Sequence, residues 1–137
     1  MFSQWDDVGI LARTAFGENR AGGIDGMQSV LNVIMNRAAR PCWWGNTPRE
    51  VCLKYLQFSC WNPTDPNCQV IMNVTDDNTL FSAATALAQQ ALNGTLEDIT
   101  NGATYYLAES LTNQPSWAIS HTPCATIAGQ VFFNDID

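Results

Sequence analysis

Apolar residues recur at helical spacing in two stretches of the N-terminal part of the chain. The first stretch forms a stripe that ends at Phe16 or Gly17, and the second forms a face that ends before Pro41. Ser3, followed three residues later by Asp6, matches the capping-box pattern of a helix start. The apolar positions are Val8, Leu11, Ala12, Ala15 and Phe16, then Ile24, Met27, Leu31, Ile34, Met35 and Ala38. Because residues three and four positions apart share one helix face, the pattern predicts two amphipathic helices.

Two further helices are predicted in the middle of the chain. Residues 47–50 read Thr-Pro-Arg-Glu, which combines a threonine cap, a proline at the first helical position and a glutamate at the third. Asp77 or Asn78 begins the next helix, and Gly94 ends it. The apolar face of that helix contains Leu80, Phe81, Ala84, Leu87, Ala88, Ala91 and Leu92.

The pattern becomes β-like after Gly102, in residues 103–107 and again in residues 125–133. Residues 55–67 are aromatic and rich in turn residues, and the sequence assigns them no regular structure. We therefore predict an α+β fold that is mainly α, with about four helices and a small C-terminal β element. We expect residues 1–137 to form a single domain, because a chain of this length can bury its own core.

Charge is distributed unevenly along the 137 residues, whose net charge is −7. All six basic residues lie at or before Lys54, whereas the chain beyond it contains acids but no Lys or Arg. Phosphate neutralisation supplies most of the affinity for nucleic acid, and anionic membranes attract basic segments, so we expect neither partner. No uncharged apolar run approaches the length that spans a bilayer, and no signal segment is found, so we expect no membrane insertion. Release by lysis, or removal of a signal during maturation, would bring such a chain to its target.

The five cysteines lack the Cys-x-x-Cys spacing of a zinc site, and the single histidine, His121, is remote in sequence. We therefore predict no metal and no cofactor. Cys52 with Cys60, and Cys42 with Cys68, are possible disulfide pairs, but spacing does not fix connectivity. Free buried cysteines are an equally good account.

Glu18 lies where the first predicted helix stops and is the only carboxylate between Asp7 and Asp25. It follows Ala15 by three residues and Leu11 by seven, which places it at the edge of the apolar stripe. A carboxyl group held against apolar surface has a raised pKa and can act as an acid near neutral pH. A solvated helix end that carries a glutamate explains the same spacing, so periodicity alone does not assign a role.

Two groups of aromatic residues stand beside polar ones. Residues 57–63 read Gln-Phe-Ser-Cys-Trp-Asn-Pro, and a second group contains Tyr105, Tyr106 and Trp117. Aromatic faces stack on sugar rings while amides and hydroxyls bind their substituents, a mixture that suits a carbohydrate groove. The same aromatic residues would also fill a core beneath loops, so both interpretations stay open.

Seven blocks stand in one order along the chain. The first, residues 12–20, reads Ala-Arg-Thr-Ala-Phe-Gly-Glu-Asn-Arg, and the second, residues 26–37, is an apolar helix that ends in Asn-Arg. The others are residues 47–52, 57–62, 102–106, 115–117 and 127–133. In this order and spacing the blocks resemble the spore-cortex-lytic (SleB/CwlJ-type) cell wall hydrolases. Each block alone is weak, but the ordered set is specific and covers nearly the whole chain.

The resemblance implies a small lysozyme-like α+β domain that cleaves the glycan strand of peptidoglycan, and it maps the family's catalytic glutamate onto Glu18. The residues that we expect to bind the glycan are Arg20, Gln57, Phe58, Ser59, Trp61, Tyr105, Tyr106 and Trp117. Three positions depart from the family pattern. Gly22 replaces its second acid, and Tyr105 and Gln130 replace histidines.

With one glutamate in the first block, we expect a lytic transglycosylase that forms 1,6-anhydro ends, with Glu18 acting first as acid and then as base. Retaining and inverting hydrolases use two carboxylates. A hydrolytic muramidase is the nearest alternative, with Asp25, Asp65 or Glu109 as the second acid.

Two further alternatives come from other classes of protein. The missing second acid leaves a non-catalytic glycan-binding module open as an alternative, and Cys60 with His121 would suit a thiol amidase. We expect peptidoglycan glycan strands as the partner and a monomeric state. The expected place of action is the bacterial cell wall, in the periplasm or outside the cell, for a phage endolysin or a bacterial remodelling enzyme.

Overall fold

The computed structural model describes residues 2–55 and 57–136. Its helices are α1 (Asp7–Asn19), α2 (Gly23–Ala39), α3 (Pro48–Leu53), α4 (Pro66–Asn73) and α5 (Thr79–Asn93). Its strands are β1 (Tyr105–Ala108), β2 (Ala125–Ile127) and β3 (Gln130–Phe133), and single 3₁₀ turns occupy Arg20–Gly22 and Ser59–Trp61. The predicted fold class, α+β and mainly α, is confirmed. The described residues also contain α4, a short helix that the sequence pattern did not predict.

Side-chain caps begin three of the predicted helices. The carboxylate of Asp6 accepts a hydrogen bond from the backbone N–H three residues later, so α1 begins there and the expected cap at Ser3 is wrong. Thr47 and Asn78 cap α3 and α5 in the same way, as predicted. Gly94 ends α5 in the left-handed conformation, at φ 81°, which glycine adopts without steric cost.

Helix α4 lies at the end of the stretch that the sequence assigned to turns. Asp65 accepts a hydrogen bond from the N–H of Asn67 at 2.8 Å, and Pro66 occupies the first helical position. The helix has eight residues and buries only Cys68 and Ile71, too few positions for a periodic pattern to be visible in sequence. It packs against α1 and the Ser59–Trp61 turn.

The main hydrophobic core lies among α1, α2 and α5, with α3 and α4 closing its sides. Fully buried side chains from α1 and α2 dominate it: Ile10, Leu11, Met27, Val30, Leu31 and Ile34. Because α1 contacts all four of the other helices, its C-terminal end is fixed on several sides.

The three strands form one antiparallel sheet in the order β1-β3-β2. Ala128 and Gly129, with φ of 50° and 80°, make the tight turn between β2 and β3, so Gly129 lies in a turn rather than inside a strand as predicted. Tyr106 pairs with Phe132 across the sheet, and this face packs against Val33 of α2. The packing brings one side chain of β1 to the end of α1.

The five cysteines all lie in the described part of the chain, and all are free thiols. Cys52, Cys60 and Cys68 are buried among the apolar residues of the helical core. Cys42 is exposed and Cys124 is half-buried, so free buried cysteines, one of the two alternatives from the sequence, describe three of the five.

Across residues 2–55 and 57–136, no helix is both long enough and apolar enough to cross a membrane. Over the same residues, no three His, Cys, Asp or Glu side chains come together in a way that could hold a metal ion.

Candidate active site

Glu18 lies in the last turn of α1 and is held by donors from two distant segments. Its Oε2 accepts a hydrogen bond from the backbone N–H of Cys60 at 3.2 Å. Its Oε1 accepts one from the hydroxyl of Tyr106 at 3.1 Å. The two partners are 42 and 88 residues away in sequence, so only the folded chain assembles this arrangement.

Gly17 allows the Ser59–Trp61 turn to approach α1. A Cβ atom at this position would lie 2.7 Å from the Cβ of Cys60 and 2.9 Å from the Cγ2 of Ile71, closer than real Cβ atoms come. The indole N–H of Trp61 donates to the hydroxyl of Thr14 at 2.9 Å and fixes the other end of the turn. The glycine before Glu18 is therefore part of the site, because it brings the backbone donor within reach.

Burial is the main cause of an elevated pKa at Glu18. Removing the carboxylate from water raises its pKa, and the negative charge of Asp65 raises it further. The backbone N–H and thiol of Cys60 and the hydroxyl of Tyr106 lower the pKa in part, because they donate to the ionised form. The pKa stays above that of an ordinary glutamate, so Glu18 holds its proton to a higher pH than an exposed carboxyl group.

The two donor side chains around Glu18 remain protonated. Burial and the charge of Glu18 raise the pKa of the Cys60 thiol and of the Tyr106 hydroxyl well above their usual values. Both groups are therefore available as donors across the neutral range. A thiol in this state is a poor nucleophile, because thiol chemistry needs the thiolate.

A cavity of about 230 Å³, lined in part by Glu18, opens to solvent at the end of α1. Arg20 lies on its wall, where its Nη2 donates to the Oδ1 of Asn67 at 2.8 Å. Asn67 was not singled out in the sequence, although it lies in the first turn of α4 behind a recognisable Asp-Pro helix start. Arg20, which the sequence predicts as a site residue, and Asn67, which it does not, therefore line the same cavity.

Phe58 and Trp61, which we expect to bind the glycan, lie in the interior of the fold. They are only 3% and 7% exposed and belong to the main core, so neither presents a face to a sugar. Gln57 is half-buried and donates from Nε2 to the carbonyl of Val51 at 2.6 Å. Ser59 is exposed at the start of the turn. The mixed composition of this loop therefore reflects core packing and backbone support more than a sugar platform.

Tyr105 and Tyr106 point to opposite faces of β1, as neighbouring residues in a strand do. Tyr105 packs against Trp117, with ring centroids 4.9 Å apart, and against Trp44 at 6.0 Å. Trp117 in turn meets Phe133 edge-on. Tyr105 and Trp117 thus contribute to the packing beneath the sheet, whereas Tyr106 contacts Glu18.

Steric crowding explains why position 22 is a glycine. A Cβ atom there would lie 2.8 Å from the Cβ of Ala128 and 2.9 Å from the Nδ2 of Asn19. The Oδ1 of Asn19 accepts the N–H of Gly22 at 3.2 Å. The side chain of Asn19 and the β2-β3 turn therefore fill the place where the second acid of the resembled family would begin.

The other candidate acids have separate structural positions. Asp65 caps α4, Asp25 lies exposed in the first turn of α2, and Glu109 is exposed just after β1. His121 pairs with Asp135 at 3.0 Å rather than with Cys60. The raised pKa of the Cys60 thiol and this pairing together argue against a thiol amidase.

Gln130, which stands where the resembled family has a histidine, pairs with Ala108 in the register that pairs Tyr106 with Phe132. Positions two apart on a strand share a face, so Gln130 lies on the sheet face of Tyr106. Within the described residues its Oε1 is buried and accepts no hydrogen bond.

Comparison with known proteins gives matches in family and in fold. The sequence model of a family described as cell wall hydrolase matches residues 22–133, a stretch that begins just after Glu18. The catalytic domain of the Bacillus cereus SleB protein is similar with a TM-score of 0.73 and 23% identity, over 97% of this chain and 92% of that one. The catalytic domain of the germination-specific lytic transglycosylase SleB from Bacillus anthracis is similar with a TM-score of 0.70 and 21% identity, over 97% and 99%. None of the curated proteins matches the sequence.

Proposed function

This chain is an enzyme of the cell wall hydrolase family, and from that premise we propose that residues 1–137 form a single domain that cleaves peptidoglycan. The bond cleaved is the glycosidic bond between N-acetylmuramic acid and N-acetylglucosamine. The observation that carries the proposal is the partly buried carboxyl group of Glu18, held by two donors beside an open cavity. The similar domain from Bacillus anthracis is described as a lytic transglycosylase, which supports the reaction class.

Glu18 acts first as a general acid. Its raised pKa lets the carboxyl group keep its proton to a higher pH than an ordinary glutamate, as a general acid requires. Its proton passes to the glycosidic oxygen as the bond from C1 of the muramoyl residue breaks, and the electron pair leaves with that oxygen. The 2-acetamido oxygen of the substrate stabilises the positive character that develops at C1.

Glu18 then acts as a base. The carboxylate left by the first step is stabilised by the N–H of Cys60 and the hydroxyl of Tyr106, which both donate to it. It removes the proton of the muramoyl 6-hydroxyl as that oxygen bonds to C1. The product is a 1,6-anhydro end, and the carboxyl group regains the proton that it lost.

The absence of space for an acid at Gly22 supports a mechanism with one carboxylate. A hydrolase that retains or inverts configuration needs two carboxyl groups that flank the bond. A side chain at Gly22 would collide with Ala128 and Asn19. Intramolecular attack by the 6-hydroxyl needs no second carboxylate, because the substrate supplies its own nucleophile.

One observation favours hydrolysis as a second candidate. Burial is the main cause of the raised pKa of Glu18, and the negative charge of Asp65 raises it further. In that reaction Asp65 would activate a water molecule. Its Oδ1 already accepts the N–H of Asn67 as the cap of α4, which leaves one oxygen for such a role.

Product analysis on purified peptidoglycan tests both candidates. Mass spectrometry of wild-type products should find anhydro ends, and Glu18→Gln should release none while melting as a folded protein. Glu97→Gln is the matched control, because Glu97 is exposed. Reducing ends, lost in Asp65→Asn, would replace the proposal with hydrolysis, and full activity of Glu18→Gln would end the assignment of Glu18.

We further propose that the enzyme acts on the bacterial cell wall as a monomer, with glycan strands as its partner. With a net charge of −7, the chain has little attraction to anionic wall polymers, so affinity has to come from contacts in the cavity. Arg20 and Asn67 on the cavity wall offer donors and acceptors for sugar hydroxyl and acetamido groups.

A further inference from the structure

Arg37 lies in the last turn of α2, is 7% exposed and is buried as a cation. Among the salt bridges of residues 2–55 and 57–136, none involves Arg37. A buried charge without a counter-charge is costly unless other groups replace its hydration. Its retention in the interior therefore calls for compensating contacts.

Backbone and aromatic groups provide those contacts. The Nε–H of Arg37 donates to the carbonyl oxygen of Thr104 at 2.6 Å. The guanidinium carbon lies 5.1 Å from the ring centre of Tyr105, 5.3 Å from that of Trp44 and 5.8 Å from that of Phe58. Cations at these distances are attracted to aromatic faces.

The contacts of Arg37 fall next to both donors of Glu18. Thr104 and Tyr105 immediately precede Tyr106, which donates to Oε1. Phe58 immediately precedes the turn whose Cys60 N–H donates to Oε2. The guanidinium group of Arg37 therefore contacts both segments that hold the carboxyl group of Glu18. Arg37 and these two segments come from three different parts of the chain.

We propose that Arg37 is a positioning residue that fixes the Tyr106 hydroxyl and the Cys60 N–H on the carboxyl group of Glu18. The catalytic consequence of this inference rests on the proposed function, whereas the structural part does not. Burial and the charge of Glu18 raise the pKa of Tyr106, and the positive charge of Arg37 offsets part of that rise. The other ionisable groups that face Glu18 are Cys60 and Asp65.

Arg13 of α1 provides a matched control. Its Nε donates to the carbonyl of Ile71 at 3.0 Å, and its guanidinium carbon lies 4.2 Å and 5.0 Å from the ring centres of Trp5 and Phe81. Burial lowers the pKa of both arginines. Arg13 therefore makes the same kinds of contact as Arg37, although it is only half-buried, and none of its contact residues is adjacent in sequence to a donor of Glu18.

The experiment compares Arg37→Lys with Arg13→Lys in the whole chain. Glutamate labelled with carbon-13 gives one carboxyl signal for each of the four glutamates, and Glu18→Gln identifies that of Glu18. We expect Arg37→Lys to raise the pKa of Glu18, because the donors to its carboxylate move away. We also expect kcat on solubilised peptidoglycan to fall about tenfold to a hundredfold, with KM nearly unchanged. Arg13→Lys should leave the pKa of Glu18 and kcat as in the wild type.

Two outcomes would overturn the proposal. One is an unchanged pKa of Glu18 in folded Arg37→Lys, and the other is an equal shift in Arg13→Lys. If Arg37→Lys does not fold, Tyr105→Leu removes one of the three rings, keeps the charge and should raise the pKa of Glu18 in the same direction. A wild type that cleaves no glycan but shows the Arg37-dependent shift would refute the proposed function alone. An active wild type without the shift would refute only the role of Arg37.

Discussion

The Ser59–Trp61 turn and strand β1 both donate a hydrogen bond to Glu18, but they use different parts of the chain. The turn uses the backbone N–H of Cys60, whereas the strand uses the side chain of Tyr106. A backbone donor survives most substitutions at its own position and depends on the path of the chain. A side-chain donor depends on the residue itself. The two halves of the site are therefore vulnerable to different changes.

The largest expected effect comes from moving the Ser59–Trp61 turn, which provides the backbone donor to Glu18. Gly17→Ala places a Cβ atom 2.7 Å from that of Cys60, so the turn has to move away from α1. We expect the variant to lose about 1–3 kcal/mol of unfolding free energy, the usual cost of overpacking, and to lose activity by about a hundredfold or more. Denaturant unfolding and glycan cleavage measure the two effects.

Gly9→Ala on the same helix serves as the control for Gly17→Ala. The nearest atoms to a Cβ at position 9 are 3.1–3.3 Å away, and alanine favours a helix over glycine. Wild-type activity in Gly17→Ala would show that the distance between the turn and α1 does not matter for Glu18.

The next effect comes from removing the side-chain donor. Tyr106→Phe deletes the hydroxyl that donates to Oε1, and we expect kcat to fall by about tenfold to a hundredfold. Because this donor lowers the pKa of Glu18, its loss should raise that pKa and move the basic limb of the pH profile upward. Tyr105→Phe, whose ring packs under the sheet, should change neither quantity.

A smaller effect on stability follows from the burial of Glu18. The folded pKa lies above the ordinary value of 4.5, because burial disfavours the charged form. The contribution of the neutral carboxyl group to stability is full below that ordinary value and is lost as pH rises through the folded pKa. Glu18→Gln should therefore melt at a higher temperature than the wild type at pH 7, and the gap should close at about pH 3. Glu97→Gln, at an exposed position, should show no such trend, and a gap that is constant with pH would contradict the burial argument.

The smallest effect is expected at the side chain of Cys60. Cys60→Ala keeps the backbone N–H that donates to Oε2 and removes only a weak thiol donor, so activity should stay within about threefold of the wild type. The contrast with Tyr106→Phe would be the sharpest test of the comparison between the two halves. A loss as large as that of Tyr106→Phe would mean that the thiol, not the backbone, holds the carboxyl group.

The periodic elements were predictable because their signals are local. Apolar positions at helical spacing, together with Thr47, Asn78 and Gly94, located the long helices and several of their ends. Helix α4 was missed, because eight residues with two buried positions leave no periodic pattern. The cap of α1 was placed at Ser3 rather than Asp6, because both residues suit a cap and only the geometry distinguishes them.

The candidate site was predictable at Glu18 and much less so around it. The spacing placed this residue at the edge of an apolar stripe, and the ordered blocks singled it out. Phe58 and Trp61 were assigned to a sugar groove, yet an aromatic residue in a polar loop has the same sequence signature whether it faces in or out. Asn67 and the backbone N–H of Cys60 carried no signal for a role beside Glu18.

The sequence by itself determined the mainly α fold class and the family, and it singled out Glu18 as the candidate carboxyl group, since these depend on periodicity and on an ordered set of motifs. Only the tertiary structure decided what surrounds that carboxyl group. Its donors lie 42 and 88 residues away, and its pKa depends on burial that no local pattern contains. The lack of space for a second acid at position 22 also depends on the tertiary structure, because Ala128 comes close to Gly22 only when the sheet packs against the helices.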